Sequence, residues 1–488
     1  MTKQRILFGE WKPDQADSTG QPSNDLEMAY NVYPSATGYA PFPDRRPLTI
    51  PMPDDQDITG MTTARYNEDI FTITGTRFNI YKGNNLLSRV SDDIKPIGKD
   101  GGYKVPKTGW QFMPFGNSVL ATNGADKIQT MNILGSGKFG DIAQAPVCRT
   151  MTTVRDFVVA GYCNEDSTKV QWSDLNNELQ WDSADTNQAD FQRLPSGGEI
   201  KAITGGEFGL ILQDKGVRRM SYVGTPLIFQ FDLISDNIGC LAGQSAIQHN
   251  GISYWLSHEG MIACDGTKVT NIGNGKVNDW LFNKIDLKQM DNKLDNSSVA
   301  IDPIKNLIVW NFPTKTDDRI MLKYNYSTQR FSTGITKAHI VCGLETDGTT
   351  LEALDPDFPV LDGMPVSLDS NLFIGGQFAF CGAEGGVVVA FDLESNDSYL
   401  TTNDMEFDGF SVVTSAQPIV ENGSAKFQVS SRNTLNDGIL FGSASTTSDE
   451  NRADLRSGGK YHRIRMQPTD TWTNAVGFDL EVSTQGQR

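Results

Sequence analysis

The sequence predicts an all-β protein organised around a β-propeller of six or seven blades, with an extended N-terminal arm and a C-terminal β-sandwich-like domain. Two observations carry this. From Met151 to Trp280 the chain reads as strand, turn, strand, repeatedly: Val154–Gly161, Lys169–Asp174, Gly205–Gln213, Val217–Tyr222, Phe229–Asp232, Gly251–Leu256 and Gly260–Gly266. Short β-rich runs punctuated by Gly, Asn and Asp mark antiparallel meanders. The same unit also recurs, its first tight turns falling near Asn67, Gly116, Arg155, Phe208, Asn250, Lys305 and Asp347. That spacing, roughly 40 to 55 residues, is close to the period of a propeller blade. A sheet of four short strands cannot bury both faces alone, and radial stacking buries them. A large sandwich, or a pair of sandwiches, is the competing architecture.

Residues 1–54 read as an irregular arm rich in Pro, Gly, Asp and Asn, with aromatic anchors in Glu10-Trp11-Lys12-Pro13-Asp14 and Asn31-Val32-Tyr33-Pro34. Such an arm packs along a sheet or reaches a neighbouring subunit. Residues 55–365 hold the propeller. Its first meander runs through Ala64–Gly75, Arg77–Gly83 and Leu86–Val90, and later units open at Trp110, Met151, Ile200, Ser245, Ser298 and Ala338. Val277–Ile285 interrupts the pattern with apolar residues at helical spacing, which predicts a short helix between the fifth and sixth units. Residues 366–488 form the third region. Asn371–Phe380, Gly386–Phe391, Ala425–Ser430, Tyr461–Met466 and Ala475–Val482 predict strands, the last three alternating as half-exposed strands do. The polar stretch Thr434–Gly459 predicts a long loop.

At 488 residues, with 38% hydrophobic and 21% charged residues, the chain has the composition of a folded globular protein. No run approaches the roughly 20 apolar residues of a membrane helix. The start, Met1-Thr2-Lys3-Gln4-Arg5, lacks the apolar segment of a signal peptide, so synthesis and folding in a cytoplasm are expected. The formal charge is −18, with no Lys/Arg run to grip phosphates. An acidic wall could still let DNA pass without sticking, and plain solubility accounts for the charge equally well.

The chemistry-bearing residues are sparse. Cys148, Cys163, Cys240, Cys264, Cys342 and Cys381 are scattered and read as single buried or half-buried thiols. His249, His258, His339 and His462 have no metal-ligand spacing. Gly273-Asn274-Gly275-Lys276-Val277 has the flavour of a phosphate loop but lacks its first Gly and final Ser/Thr, and is expected to cap the following helix. No nucleophile elbow is present. Asp355–Gly363 is acidic but holds prolines and lacks the downstream Glu of a calcium loop, so a turn is expected. Trp172, Trp181, Trp255 and Trp310 read as core rather than a ligand face. Arg218 and Arg219, adjacent on a strand, point to opposite faces and are expected to be salt-bridged. The reading is therefore of no catalytic residue, no cofactor and no metal.

Several phrases taken together carry a resemblance. They are Trp11-Lys12-Pro13-Asp14 with Asn31-Val32-Tyr33-Pro34; Val154–Gly161 followed by Val170–Asn176 and Trp181; Gly205–Ile211 running into Arg219–Gly224 and Ile228–Phe231; Ser298–Pro303 with Tyr324-Asn325-Tyr326 and Arg330-Phe331-Ser332; and Tyr461–Arg465 with Ala475–Asp479. They resemble the tail nozzle, or packaged-DNA stabilisation, structural proteins of short-tailed bacteriophages. The likeness spans most of the chain and is weakest over residues 366–460. It implies a propeller-bearing virion subunit without enzymatic activity, assembled in the bacterial cytoplasm into a virion tail. There it would form a ring, a homohexamer, that extends the portal–adaptor channel, retains the packaged genome and conducts DNA on ejection. The implied partners are further copies of the chain, the head-to-tail adaptor ring, tail fibre or tip proteins, and DNA passing without sequence-specific binding. The alternatives are a receptor- or fibre-binding virion propeller and a propeller glycan hydrolase. A hydrolase would need a carboxylate pair at one end of the propeller axis.

Overall fold

A computed structural model describes residues 2–15, 24–66, 69–83, 94–134, 137–291, 296–346, 376–395 and 397–484, and every count below is of those residues. Six antiparallel four-stranded meanders stand as separate sheets. Five follow one another along the chain over residues 58–96, 111–141, 148–193, 200–235 and 242–271, each pairing strand to strand in sequence order. The sixth closes the ring from distant segments: Ile340–Glu345, Phe378–Glu384 and Val387–Leu393 supply three strands, and Asp44–Pro47 from the N-terminal arm supplies the fourth. The sequence boundaries at residues 54 and 365 thus part the strands of this blade from one another.

Between the fifth and the last blade sits another four-stranded meander, Ser298–Asp302, Leu307–Pro313, Arg319–Asn325 and Arg330–Thr336. Its first strand packs against the first strands of both neighbours and completes the ring of inner strands. Its outer strand continues into a 14-stranded sheet. The propeller thus has six free-standing blades and one sector shared with the second module.

The turns that set the period are where the sequence places them. Arg155, Asn250 and Asn306 adopt φ of 51°, 50° and 57°, with Gly116 at 56°. Asn tolerates the left-handed region these hairpins demand. The turns near Asn67 and Asp347, the strand Leu86–Val90 and the acidic stretch Asp355–Gly363 lie outside the described residues. Ile94–Pro96 takes the fourth place in the first blade.

Blades pack through apolar faces with close backbone approaches near the axis. A Cβ at Gly60 would lie 2.2 Å from the Trp110 carbonyl oxygen, and one at Gly243 would lie 2.3 Å from that of Lys201. Only glycine admits these approaches. Trp172, Trp181, Trp255 and Trp310 are all buried, and each indole N–H donates to a backbone carbonyl, of Gln188, Glu178, Gly239 and Ser245 respectively. All four are core, three of them on strands and Trp181 in the connection that follows Trp172.

The second module is built on two 17-residue strands, Met405–Glu421 and Ala453–Thr469, with Ser424–Arg432 and Asn474–Thr484 beside them. Phe427 and Phe478 sit on strands separated by two others, yet their rings meet edge to face at 5.7 Å. The sheet therefore folds over on itself, which gives the sandwich-like packing. The expected loop Thr434–Gly459 is shorter than the sequence implies. A two-residue strand forms at Ser445–Thr446, and Ala453–Gly459 already belongs to a long strand, because Ala453 and Leu455 turn inward to the core.

The N-terminal arm packs along its own chain. Leu26–Tyr30 lies between Arg330–Thr336 and Tyr399–Thr402, and Thr2–Leu7 pairs with Asn474–Thr484. Trp11 is fully buried, donates to the Glu27 carbonyl at 2.9 Å and meets Trp280 edge to face at 4.8 Å. The predicted helix spans Asn278–Lys284. Its cap corrects the sequence reading: the residue before it makes no side-chain cap, and the Asp14 carboxylate instead accepts from the Asp279 and Trp280 N–H groups at 2.9 and 2.7 Å. A capping partner that distant in the chain leaves no local signal.

Candidate functional site

The first strand of every blade runs in the same direction along the propeller axis, so their starts collect at one mouth and their ends at the other. The starting mouth opens into a cavity of about 600 Å³ lined by Asp55, Asp57, Arg77, Gln244, Arg319 and His339, among others. A second cavity of about 300 Å³ adjoins it, sharing Thr108 and Gln244, and is lined by Arg149, Tyr162, Glu199 and Lys201. Below them the waist of the axis is lined by Met61, Phe112, Met113, Met151, Val341 and Cys342, and the far mouth by Thr, Ile and Gln side chains with Gly205 and Gly206. The far ends of the inner strands carry the Arg65–Glu345 and Arg155–Glu207 pairs.

Several polar groups at that mouth are held from behind. Asp55 occupies a left-handed turn with φ 52°, and the neighbouring Asp54 carboxylate accepts from the Thr76 hydroxyl at 2.6 Å, pinning the loop. His339 is largely buried, and its Nε2 lies 2.6 Å from the Ile58 carbonyl. A carbonyl only accepts, so Nε2 carries the proton and Nδ1 is the acceptor. Burial lowers the imidazole pKa, which keeps the ring neutral. Arg319 donates through Nε to the Asn311 side-chain oxygen at 3.1 Å and through Nη2 to the Asn296 carbonyl. The Gln244 amide bridges two neighbours, donating to the Ser297 carbonyl at 3.2 Å and accepting from the Gly109 N–H at 2.9 Å. In the adjoining cavity Arg149 stacks on the Tyr162 ring at 3.7 Å, and Lys201 pairs with Glu199.

Sequence reasoning singled out none of Asp55, Asp57, Arg77, Arg149 or Arg319. Their signal is positional: several sit just before or at the start of an inner strand, and the site exists only once the ring closes. The residues that were singled out lie elsewhere. Arg218 is buried and donates to Gln213 and Ser196 side chains, while Arg219 lies over the Phe208 ring at 4.4 Å. They face opposite ways, but hydrogen bonds and a cation–π contact replace the expected salt bridges. The loop Gly273–Val277 packs on Asn278, whose side chain bonds the Met261 N–H and the Glu259 carbonyl. The six cysteines are free thiols, and Cys148 faces Cys163, as Cys342 faces Cys381, across neighbouring strands. His462 is fully buried between the Ser411 and Ser431 hydroxyls at 2.8 and 2.7 Å. No cluster of three or more His, Cys, Asp or Glu side chains able to hold a metal occurs among the described residues, and no described helix is long and apolar enough to cross a membrane.

No family model and no curated protein matches the chain. Among solved structures, the crystal structure of the computationally designed Ika8 protein aligns with 71% of this chain and 100% of its own, at 10% identity and a TM-score of 0.37. At that score the likeness carries no argument, and the propeller stands on the chain's own strand order and pairing.

Proposed function

We propose that the chain is a structural virion protein that assembles, as a ring of six copies, onto the portal–adaptor channel of a phage tail, retains the packaged genome and conducts DNA on ejection. The observation that carries this reading is where several of the resembling phrases meet. Residues 11–14, 31–34, 324–332 and 475–479 are far apart in sequence but lie along one seam between propeller and C-terminal sheet. Asn325 donates to the Pro34 carbonyl at 2.8 Å, and Ser332 donates to the Val32 carbonyl at 2.7 Å. Arg330 donates to the Phe8 and Gly9 carbonyls and lies over Tyr39. Arg5 holds Asp479 at 2.8 Å, and Asp14 caps the helix. Part of the resemblance thus falls on residues that couple the two β-modules, which supports a load-transmitting subunit. The excess of acid over base, −18 per copy, suits a conduit to which DNA does not adhere.

The test is the mass of the purified chain alone and with a portal–adaptor complex, by native mass spectrometry and electron microscopy. A six-fold ring formed on the adaptor is expected. A stable trimer, or a monomer that ignores the adaptor, overturns the reading.

A further inference from the structure

We propose that the charged mouth of the propeller axis binds an acidic saccharide, with Arg77 in the larger cavity and Arg149 in the adjoining one each engaging a carboxylate and the neutral and acidic side chains around them engaging hydroxyls. This inference does not rest on ring assembly. It starts from a contrast in how arginines are used. Arg5, Arg45, Arg46, Arg193, Arg432 and Arg463 each hold a carboxylate. Arg77 and Arg149 have no carboxylate within 4.0 Å among the described residues; one lies over Phe78 and the other over Tyr162. A guanidinium stacked on a ring keeps its N–H edge available for a planar, bidentate acceptor. In a chain of formal charge −18, two such groups in two adjoining cavities, Arg77 in the larger and Arg149 in the smaller, mark this mouth as a local site for anionic groups.

The rest of the lining narrows the class. Asp55 and Asp57 share the larger cavity with Arg77. Carboxylates repel a phosphate chain but accept well from hydroxyl groups. Gln244, Asn296 and Thr108 add amide and hydroxyl groups, which both donate and accept, and neutral His339 adds an acceptor at Nδ1. Carboxylates spaced along a hydroxyl-bearing chain satisfy this set, whereas a polyphosphate or an apolar ligand leaves the acids or the cations unmatched. The two connected cavities, about 600 and 300 Å³, are of the size that takes a short oligosaccharide.

The experiment is calorimetric titration of the full chain with trigalacturonate, 3′-sialyllactose and a glucuronate-bearing disaccharide. Lactose, inorganic phosphate and a short single-stranded oligodeoxynucleotide serve as comparisons. At least one acidic saccharide should bind, lactose should bind far more weakly, and Arg77→Gln and Arg149→Gln should each weaken binding by roughly ten- to a hundredfold, the range of a charge-assisted hydrogen bond. Arg77 is exposed, so its variant should melt as the wild type does and keep the test interpretable. The proposal is overturned if no acidic saccharide binds, if lactose binds equally well, if phosphate or the oligonucleotide displaces the sugar at lower concentration, or if both variants retain wild-type affinity.

Discussion

Replacing Lys323 by Met should stabilise the protein at neutral and acid pH, and the gain should fade as pH rises. Lys323 is fully buried on an inner face of the shared sector; its Nζ donates to the Thr333 carbonyl at 3.0 Å and lies 4.4 Å from the Phe42 ring centre. No carboxylate lies within ion-pair distance among the described residues, and burial lowers the amine pKa from 10.5 to about 7. At 1.36 kcal/mol per pH unit, that depression corresponds to a cost of about 5 kcal/mol for keeping the amine charged in the folded state. The sign follows from proton counts. Between about pH 7 and 10.5 the unfolded chain holds the proton and the folded chain does not, so stability rises with pH across that window and is flat on either side. Methionine removes the charge at similar volume. It forfeits one hydrogen bond, about 1 kcal/mol, but the Thr333 carbonyl keeps the Asn31 N–H at 2.9 Å. Repacking takes about another 1 kcal/mol. The variant should therefore be more stable by about 3 kcal/mol at pH 6, with the difference shrinking to zero or reversing by pH 10. Urea denaturation of both proteins at pH 6, 8 and 10 measures this, because ionisations common to both cancel in the difference. A difference that does not change with pH would refute the reasoning.

Four further outcomes are expected. Asp404 is buried between Arg432 and Arg463, so Asp404→Ala should cost about 3–5 kcal/mol by removing the carboxylate that two buried guanidinium groups share, and a loss below about 1 kcal/mol in a denaturant melt would contradict the network. Asp14→Ala should cost about 1 kcal/mol and speed amide exchange at Asp279 and Trp280; unchanged exchange would show that the cap does not hold the helix. Gly243→Ala should cost about 1–3 kcal/mol by forcing inner strands apart, measurable as a lowered melting temperature. In native protein a disulfide reagent should reach Cys342, which borders the axial cavity, before the five buried thiols, which should react only on unfolding; rapid reaction of Cys148 or Cys381 would count against the packing described.

What was legible in the sequence was whatever local chemistry decides. Turns near Arg155, Asn250 and Lys305 gave the blade period, the tryptophans gave the core, and the apolar spacing of Val277–Ile285 gave the helix. What was not legible depends on partners distant in the chain. Asp44–Pro47 reads as part of a leader because nothing near it announces the strand Val387–Leu393 that it joins. The axial mouth was invisible for the same reason: Asp55, Arg77, Arg149, Arg319 and His339 come from segments that only ring closure brings together. Thr434–Gly459 was misjudged at its end because Ser, Gly and Arg dominate a strand whose inward residues, Ala453 and Leu455, are few.

The way the last blade is closed has a consequence for how the chain is made. Its fourth strand leaves the ribosome long before the strand it must pair with, the two being joined by the Arg46–Asp392 pair at a separation of 346 residues. The early blades can form as they emerge, but the arm must remain unpaired, its edge exposed, until the C-terminal module arrives. Loop closure over such a span is slow, and an open strand edge invites pairing with another nascent copy. The final, rate-limiting event in folding should therefore be the docking of the two chain ends. Protein concentration during synthesis should then decide whether that docking happens within one chain or between two.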